Sequence, residues 1–193
     1  PEHRCPSRVA VSGGGNAAVD AAACAARHGA RDVYLVYRRS YQQMPAWPNE
    51  RDEVLRAGVH LMPLCQPVRY VVDDAGCLTA VVFVRTRLGE PDASGRRGPA
   101  EVPGSEFVLD AEMAVEAIGE RPDPLLASAL PGVDLTADGL VEVDEALGTS
   151  RRGVWAAGDL INGGATVVQA VAEGRRAAEQ IDVHFANQVP RET

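Results

Sequence analysis

Arg8-Val9-Ala10-Val11-Ser12-Gly13-Gly14-Gly15-Asn16-Ala17-Ala18-Val19-Asp20 decides the fold. The first five residues have the apolar, β-branched character of a short buried strand. Three glycines then break it. Asn16 to His28 has helical composition, with alanine at seven positions and Gly29 placed where a helix-ending glycine belongs. Asp32 to Tyr37 (D-V-Y-L-V-Y) reads as a second strand. Strand, glycine turn, helix and strand within ~30 residues make a βαβ unit, hence a parallel pair joined by a right-handed crossover.

Within that unit, Gly13-x-Gly15-x-x-Ala18 has the spacing of a dinucleotide fingerprint. Gly13 can take the backbone angles of a tight strand-to-helix turn. Gly15 lacks a Cβ, so a pyrophosphate can approach the backbone, and Ala18 lets the helix sit close on the strand. The helix start offers free N–H groups and a partial positive charge. The end of the second strand bears on which dinucleotide is bound. A site for the unphosphorylated ribose places an acid there to accept the 2′-hydroxyl proton. This chain has Tyr37-Arg38-Arg39-Ser40, and Arg38 lies 23 positions after Gly15. Guanidinium groups cannot accept that hydrogen bond, but they grip a 2′-phosphate through a planar fork of donors. NADP is therefore favoured over NAD, with Ser40 adding a hydroxyl.

Outward from this unit, Asn49 to Ala57 reads as a helix and Val59 to Leu64 as a strand. Val68 to Asp73 and Leu78 to Arg87 read as an antiparallel hairpin, Leu88 to Gly104 as a solvated polar loop, and Phe107 to Leu109 and Met113 to Ile118 as short strands. Gly153 to Ala157 is expected to be a buried strand ending at Gly158-Asp159, followed by a long helix from Thr166 to Phe185 and a frayed tail from Asn187. The fold class expected is α/β. A Rossmann-like domain with an antiparallel β-meander spans 8–118, and a second segment spans 119–193.

Composition bounds the rest. The 193 residues carry 46% hydrophobic and 24% charged side chains, which fits a globular chain. A net charge of −8 disfavours general nucleic-acid binding. No apolar run approaches the ~20 residues of a membrane span, and no secretory signal is present. The chain starts at Pro1 and is expected to begin inside a longer polypeptide. Cys5, Cys24, Cys65 and Cys77 show no C-x-x-C spacing, so a metal ribbon is not expected, and four scattered thiols fit a reducing, cytoplasmic compartment. Cys24, in the alanine-rich helix, reads as a small buried thiol. His3, His28, His60 and His184 join no nucleophile, so no catalytic residue is assigned.

Gly13 to Asp20, V-Y-R-R-S (Val36 to Ser40), M-P-A (Met44 to Ala46), A-I-G-E-R-P-D (Ala117 to Asp123), T-S-R-R-G-V-W-A-A-G-D (Thr149 to Asp159) and V-V-Q-A-V-A-E-G-R-R-A-A (Val167 to Ala178) occur in order along nearly the whole chain. Together they resemble the glutamate synthase small subunit and the related N-terminal part of dihydropyrimidine dehydrogenase, which are flavoproteins with two dinucleotide-binding domains. The resemblance implies that Gly13, Gly14, Gly15, Asn16 and Ala17 cradle the NADP pyrophosphate and that Arg38 and Arg39 hold the 2′-phosphate. It implies that Ala117, Ile118 and Gly119 pass beside the nicotinamide nucleotide. It also implies that Gly158 and Asp159 reach the ribityl chain of FAD, and that Ala165, Thr166 and Val167 start a helix beside the flavin ring. The parent reaction passes a hydride from NADPH to FAD and on to an iron–sulfur domain or a large catalytic subunit.

Two features of that pattern are not found in these residues, one of them the cysteine-rich N-terminal domain that carries iron–sulfur clusters in the family. The other is the FAD domain's own first βαβ unit, so the second segment is expected to be only the closing part of a FAD domain. A disulfide reductase of the thioredoxin-reductase type needs a redox C-x-x-C, which is missing, and a flavin monooxygenase has no supporting signature. The alternative is an NADP-binding module without turnover of its own. The 193 residues alone are expected to retain no stoichiometric flavin after incubation with FAD and desalting. A yellow protein with one flavin per chain overturns that expectation.

Overall fold

The computed structural model describes residues 5–92 and 95–187. His3 and the tail beyond Asn187 lie outside the described residues. The chain divides into two compact units, the first ending at Gly119 and the second beginning at Glu120.

In the first unit, β1 (Arg8–Ser12), α1 (Asn16–Arg27) and β2 (Asp32–Tyr37) form the expected βαβ unit. After α2 (Pro48–Arg56) and β3 (His60–Pro63), the chain makes β4 (Cys65–Val72), β5 (Leu78–Pro91), β6 (Arg97–Glu101) and β7 (Phe107–Asp110), then returns as β8 (Met113–Glu116). The parallel sheet runs β3-β2-β1-β8. The antiparallel sheet runs β4-β5-β6, with β7 also paired to β5.

Both faces of the parallel sheet are buried, and strand alternation sorts their side chains. Val9, Val11, Val33, Leu35 and Tyr37 share one core with Ala18, Val19, Ala22 and Ala25 of α1. Ala10 and Val36 point the other way and pack with Cys65, Val81, Phe83 and Ala111. The antiparallel sheet thus covers the face that α1 leaves open. Alanines on the inner side of α1 let the helix lie close to β1 and β2. Cys24 is on the outer side, exposed, with its thiol 3.5 Å from Nδ1 of His28. The expectation of a buried thiol there fails because the buried positions of α1 are 18, 19, 22 and 25, and position 24 falls off that stripe. Cys65 is the fully buried cysteine.

The expected loop from Leu88 to Gly104 is instead a hairpin arm. β5 continues to Pro91, and β6 pairs back with Thr86 opposite Glu101 and Arg87 opposite Ala100. Glycine and proline suggested a coil here, but Pro91 stands at the outer end of the ladder and Pro99 beside its register shift, where fewer backbone donors are needed. Thr86, 5% exposed, roots the arm. Its hydroxyl donates to the carbonyl of Arg38 at 2.8 Å, and its N–H donates to the carbonyl of Leu64.

The second unit contains α3 (Leu126–Ala129), α4 (Asp159–Asn162) and α5 (Val167–Ala186). The strand expected at Gly153 to Ala157 is absent. Among the described residues this segment makes one isolated bridge, Trp155 to Gly148. A ladder needs a neighbouring edge of several residues, and the unit offers only this bridge and Leu135 to Val141. α5 starts as expected, with Thr166 at its cap accepting from the Gln169 N–H. Its Val167, Val168 and Val171 are exposed. No described helix is long and apolar enough to cross a membrane.

On β4, the Tyr70 hydroxyl donates to the Glu116 carboxylate at the end of β8. Burial, then that carboxylate, push the phenol up to about 12. The unfolded phenol titrates near about 10, so the folded state holds this proton more tightly. The contribution to stability is complete below about pH 10 and is lost as pH rises through about 12. The chain's basic residues are all arginine, so no lysine titrates in that window. Thermal melts between pH 10 and pH 12 are expected to fall more steeply for the native chain than for Tyr70→Phe.

Candidate functional site

The carboxyl ends of β1, β2 and β8 meet at the glycine turn. The Gly13 N–H donates to the Val36 carbonyl at 2.9 Å, and the Ala117 N–H donates to the Ser12 carbonyl at 2.8 Å. Gly13 has φ +151°, and a Cβ there would lie 2.2 Å from the Ala117 oxygen. Only glycine fits a backbone this close to its neighbour. A Cβ on Gly14 would lie 2.5 Å from the Tyr37 ring. At Gly15 the nearest atom is Pro45 Cγ at 4.0 Å, so the missing side chain there leaves open space.

That space belongs to a cleft of about 350 Å³. Gly13, Gly14, Gly15, Asn16, Ala17, Arg38, Ala117, Ile118 and Gly119 all line it. The structure therefore gathers nine of the ten residues that the sequence assigned to the nucleotide. Arg39 is the one outside the lining. It is half-buried, its carbonyl accepts from Leu64, and its Nε is buried without a hydrogen-bond partner. α1 begins at the cleft with no side chain capping it and no acid in its first turn. Its leading N–H groups and partial positive charge are left for an anion.

The Met44-Pro45-Ala46 segment holds the turn in place. Ala46 N–H donates to the Gly14 carbonyl, Trp47 N–H to the Asn16 side-chain oxygen, and the Tyr37 hydroxyl to the Gln43 carbonyl. Sequence reasoning noted the motif without seeing this role. It also missed Pro45, Cys65, Gln66, Pro67 and Arg96, which complete the lining. Apart from Pro45, which lies in the quoted motif, these come from β4 and from the hairpin arm that was read as a loop, so no local pattern marked them. Burial pushes the Cys65 thiol up, with Arg85 opposing it, which favours the protonated form over a thiolate.

In the second unit, Gly158 takes φ +72° and caps α4. Its N–H donates to Glu173 at 2.7 Å, and that carboxylate also accepts from the Asn162 and Gln169 amides. These donors, Gln169 foremost, hold the Glu173 carboxyl below its usual range. Glu173 was quoted in a motif but given no role, and here it ties α5 to the Gly158 turn. Asp159 is exposed, and among the described residues its carboxylate receives no hydrogen bond. Asp159, Ala165, Thr166 and Val167 border one shallow cavity at the start of α5. Gly158 stands beside it without lining it.

Comparison with known proteins matches residues 2–174 to the family described as pyridine nucleotide-disulphide oxidoreductase. The chain belongs to this family. It is 46% identical over 188 residues to the "NADP(+)-dependent formate dehydrogenase subunit beta" of Moorella thermoacetica, covering 94% of this chain and 26% of that protein. It is 38% identical over 178 residues to the "Glutamate synthase [NADPH] small chain" of Escherichia coli (strain K12), covering 90% of this chain and 38% of that one. The chain thus spans between a quarter and two fifths of these relatives. Among solved structures, T. acidophilum thioredoxin reductase superposes with a TM-score of 0.72 at 23% identity, over 93% of this chain and 53% of that chain. That likeness establishes the α/β fold.

No two of this chain's cysteines are paired in the structure. All four cysteines are free, and Cys65 is buried while Cys24 and Cys77 are exposed. The glycine turn separates packing from access. Gly14→Ala is expected to lose about 1–3 kcal/mol in denaturant unfolding, because the methyl meets a buried ring. Gly15→Ala is expected to unfold within about 0.5 kcal/mol of the native chain while losing affinity for phosphate-bearing nucleotides.

Proposed function

We propose that the first unit binds NADPH and that the chain is part of a flavoprotein oxidoreductase. In this reading a hydride passes from NADPH to FAD, and electrons go on to an iron–sulfur or other acceptor in a partner domain or subunit. One observation carries it: Arg38 stands on the rim of a cleft floored by three glycines and an uncapped helix start. Family membership supports it, since proteins of this family bind FAD and NADPH.

The residues fit the nucleotide. Gly13 shapes the turn, Gly14 to Ala17 present backbone N–H groups to a diphosphate, and the open face at Gly15 admits it. Arg38 supplies a guanidinium where the ribose 2′-phosphate lies, and Ile118, 71% exposed, gives an apolar surface at the far strand end. When bound, the nicotinamide supplies the hydride and the flavin accepts it. The chain's own part is to orient and to neutralise charge; no side chain acts as an acid or base.

For FAD, the second unit offers Asp159, whose open carboxylate can accept from polyol hydroxyls, and the first turn of α5 at Ala165 to Val167. These residues fit the ribityl and ring end of a flavin. Residues 119–193 are then the closing part of a FAD domain, and 8–118 the NADP domain. Four free thiols agree with a cytoplasmic setting.

Arg38→Asp tests the nucleotide. It places a negative charge against the 2′-phosphate and leaves the glycine cradle intact. NADPH affinity is expected to fall by on the order of a hundredfold, because one charged pair becomes a repulsion. NADH affinity is expected to change little. Equal losses for the two nucleotides, read by fluorescence titration, would reject this assignment.

A further inference from the structure

The cleft contains a charge selection that the strand-end arginines do not account for. Acidic residues outnumber basic ones in this chain by 27 to 19, yet no Asp or Glu lines the cleft, and two arginines do. Arg38 comes from the end of β2. Arg96 comes from the residue just before β6, at the outer end of the hairpin arm. We propose that Arg96 is a second specificity-determining cation, which contacts the 2′-phosphate of NADPH from the wall opposite the glycine turn. This rests on the reading of the cleft as an NADPH site.

The arm's construction holds Arg96 in the lining of the cleft. Thr86 fixes the arm's root to the carbonyl of Arg38 itself. From that root, β5 and β6 run outward as one ladder, so the two arginines share an anchored frame. At the outer end the Arg96 N–H donates to the Asp92 side chain at 2.9 Å, and the Asp92 N–H donates to the Arg96 carbonyl at 2.9 Å. These bonds fix the backbone at Arg96. Its neighbours in the lining are Gln66 and Pro67 at the start of β4. The Gln66 amide is turned to Glu101 at 2.7 Å, which keeps that acid engaged on β6, and Glu101 is not among the cleft residues. A 2′-phosphate carries close to two negative charges near neutral pH. One exposed arginine on a rim gives partial compensation, while two from separate elements can each donate to a different oxygen.

The test is fluorescence titration of the full 193-residue chain with NADPH and NADH, for the native protein, Arg96→Gln, Arg96→Lys and Arg38→Gln. Arg96→Gln is expected to weaken NADPH by on the order of tenfold, as for loss of one charged hydrogen bond, with NADH unmoved and Arg96→Lys recovering part of the loss. Unchanged NADPH binding in Arg96→Gln, with Arg38→Gln still impaired, overturns the role of Arg96 and leaves the NADPH site standing. Equal weakening of both nucleotides overturns it too, because the arm would then act on the shared part of the ligand or on folding. Failure of the native chain to bind NADPH removes the site reading and this inference together.

Discussion

The first unit depends on how little room remains where β1, β2 and β8 end. Two backbone hydrogen bonds, from Gly13 to Val36 and from Ala117 to Ser12, draw three strand ends within van der Waals reach. The side chains at Gly13 and Gly14 have to be absent for that to happen. The empty volume beside Gly15 belongs to the cleft, so the packing constraint and the proposed nucleotide site have one origin. The alanines of α1 extend the same principle along the helix: small residues permit close approach, and close approach keeps the helix start aimed at the cleft.

Around this turn, the protein spends several contacts on rigidity. Asn16 accepts from the Trp47 N–H, the Tyr37 hydroxyl donates to the Gln43 carbonyl, and the Ala46 N–H donates to the Gly14 carbonyl. Met44 and Ala46 are buried. The loop after β2 therefore serves as a wall, which explains why a stretch lacking regular periodicity carries a distinctive pattern. The second unit solves a similar problem with a carboxylate. Glu173 gathers three donors from the turn before α5 and from α5 itself.

The βαβ unit was legible because its signals are local: β-branched runs, a glycine turn and an alanine-rich stripe all within 30 residues of one another. The same locality let the sequence pick out nine residues that line one cleft, of the ten it assigned to the nucleotide. Arg38 and Arg39 look equivalent in sequence, yet both stand in the bend after β2, and of the two only Arg38 lines the cleft. The hairpin arm was illegible for a different reason. Its pairing is set by β5 continuing past the sheet, a tertiary fact that overrides the glycines and prolines of 88–104. Gly153 to Ala157 shows the reverse: strand-like residues without an edge to pair on remain irregular. Cys24 was misplaced because an alanine-rich helix hides which of its small residues face inward.

The Thr86 hydroxyl bond to the Arg38 carbonyl joins a strand end to an appendage 48 positions away in the chain. It makes the rim of the cleft a single mechanical piece. In the proposed NADPH site, a change of nucleotide preference then involves more than the strand end, because a shift of that backbone is felt along the lever. Homologues that trade one nucleotide for another should then show paired changes, at the strand terminus and along the projecting ribbon, instead of a lone exchange at either place.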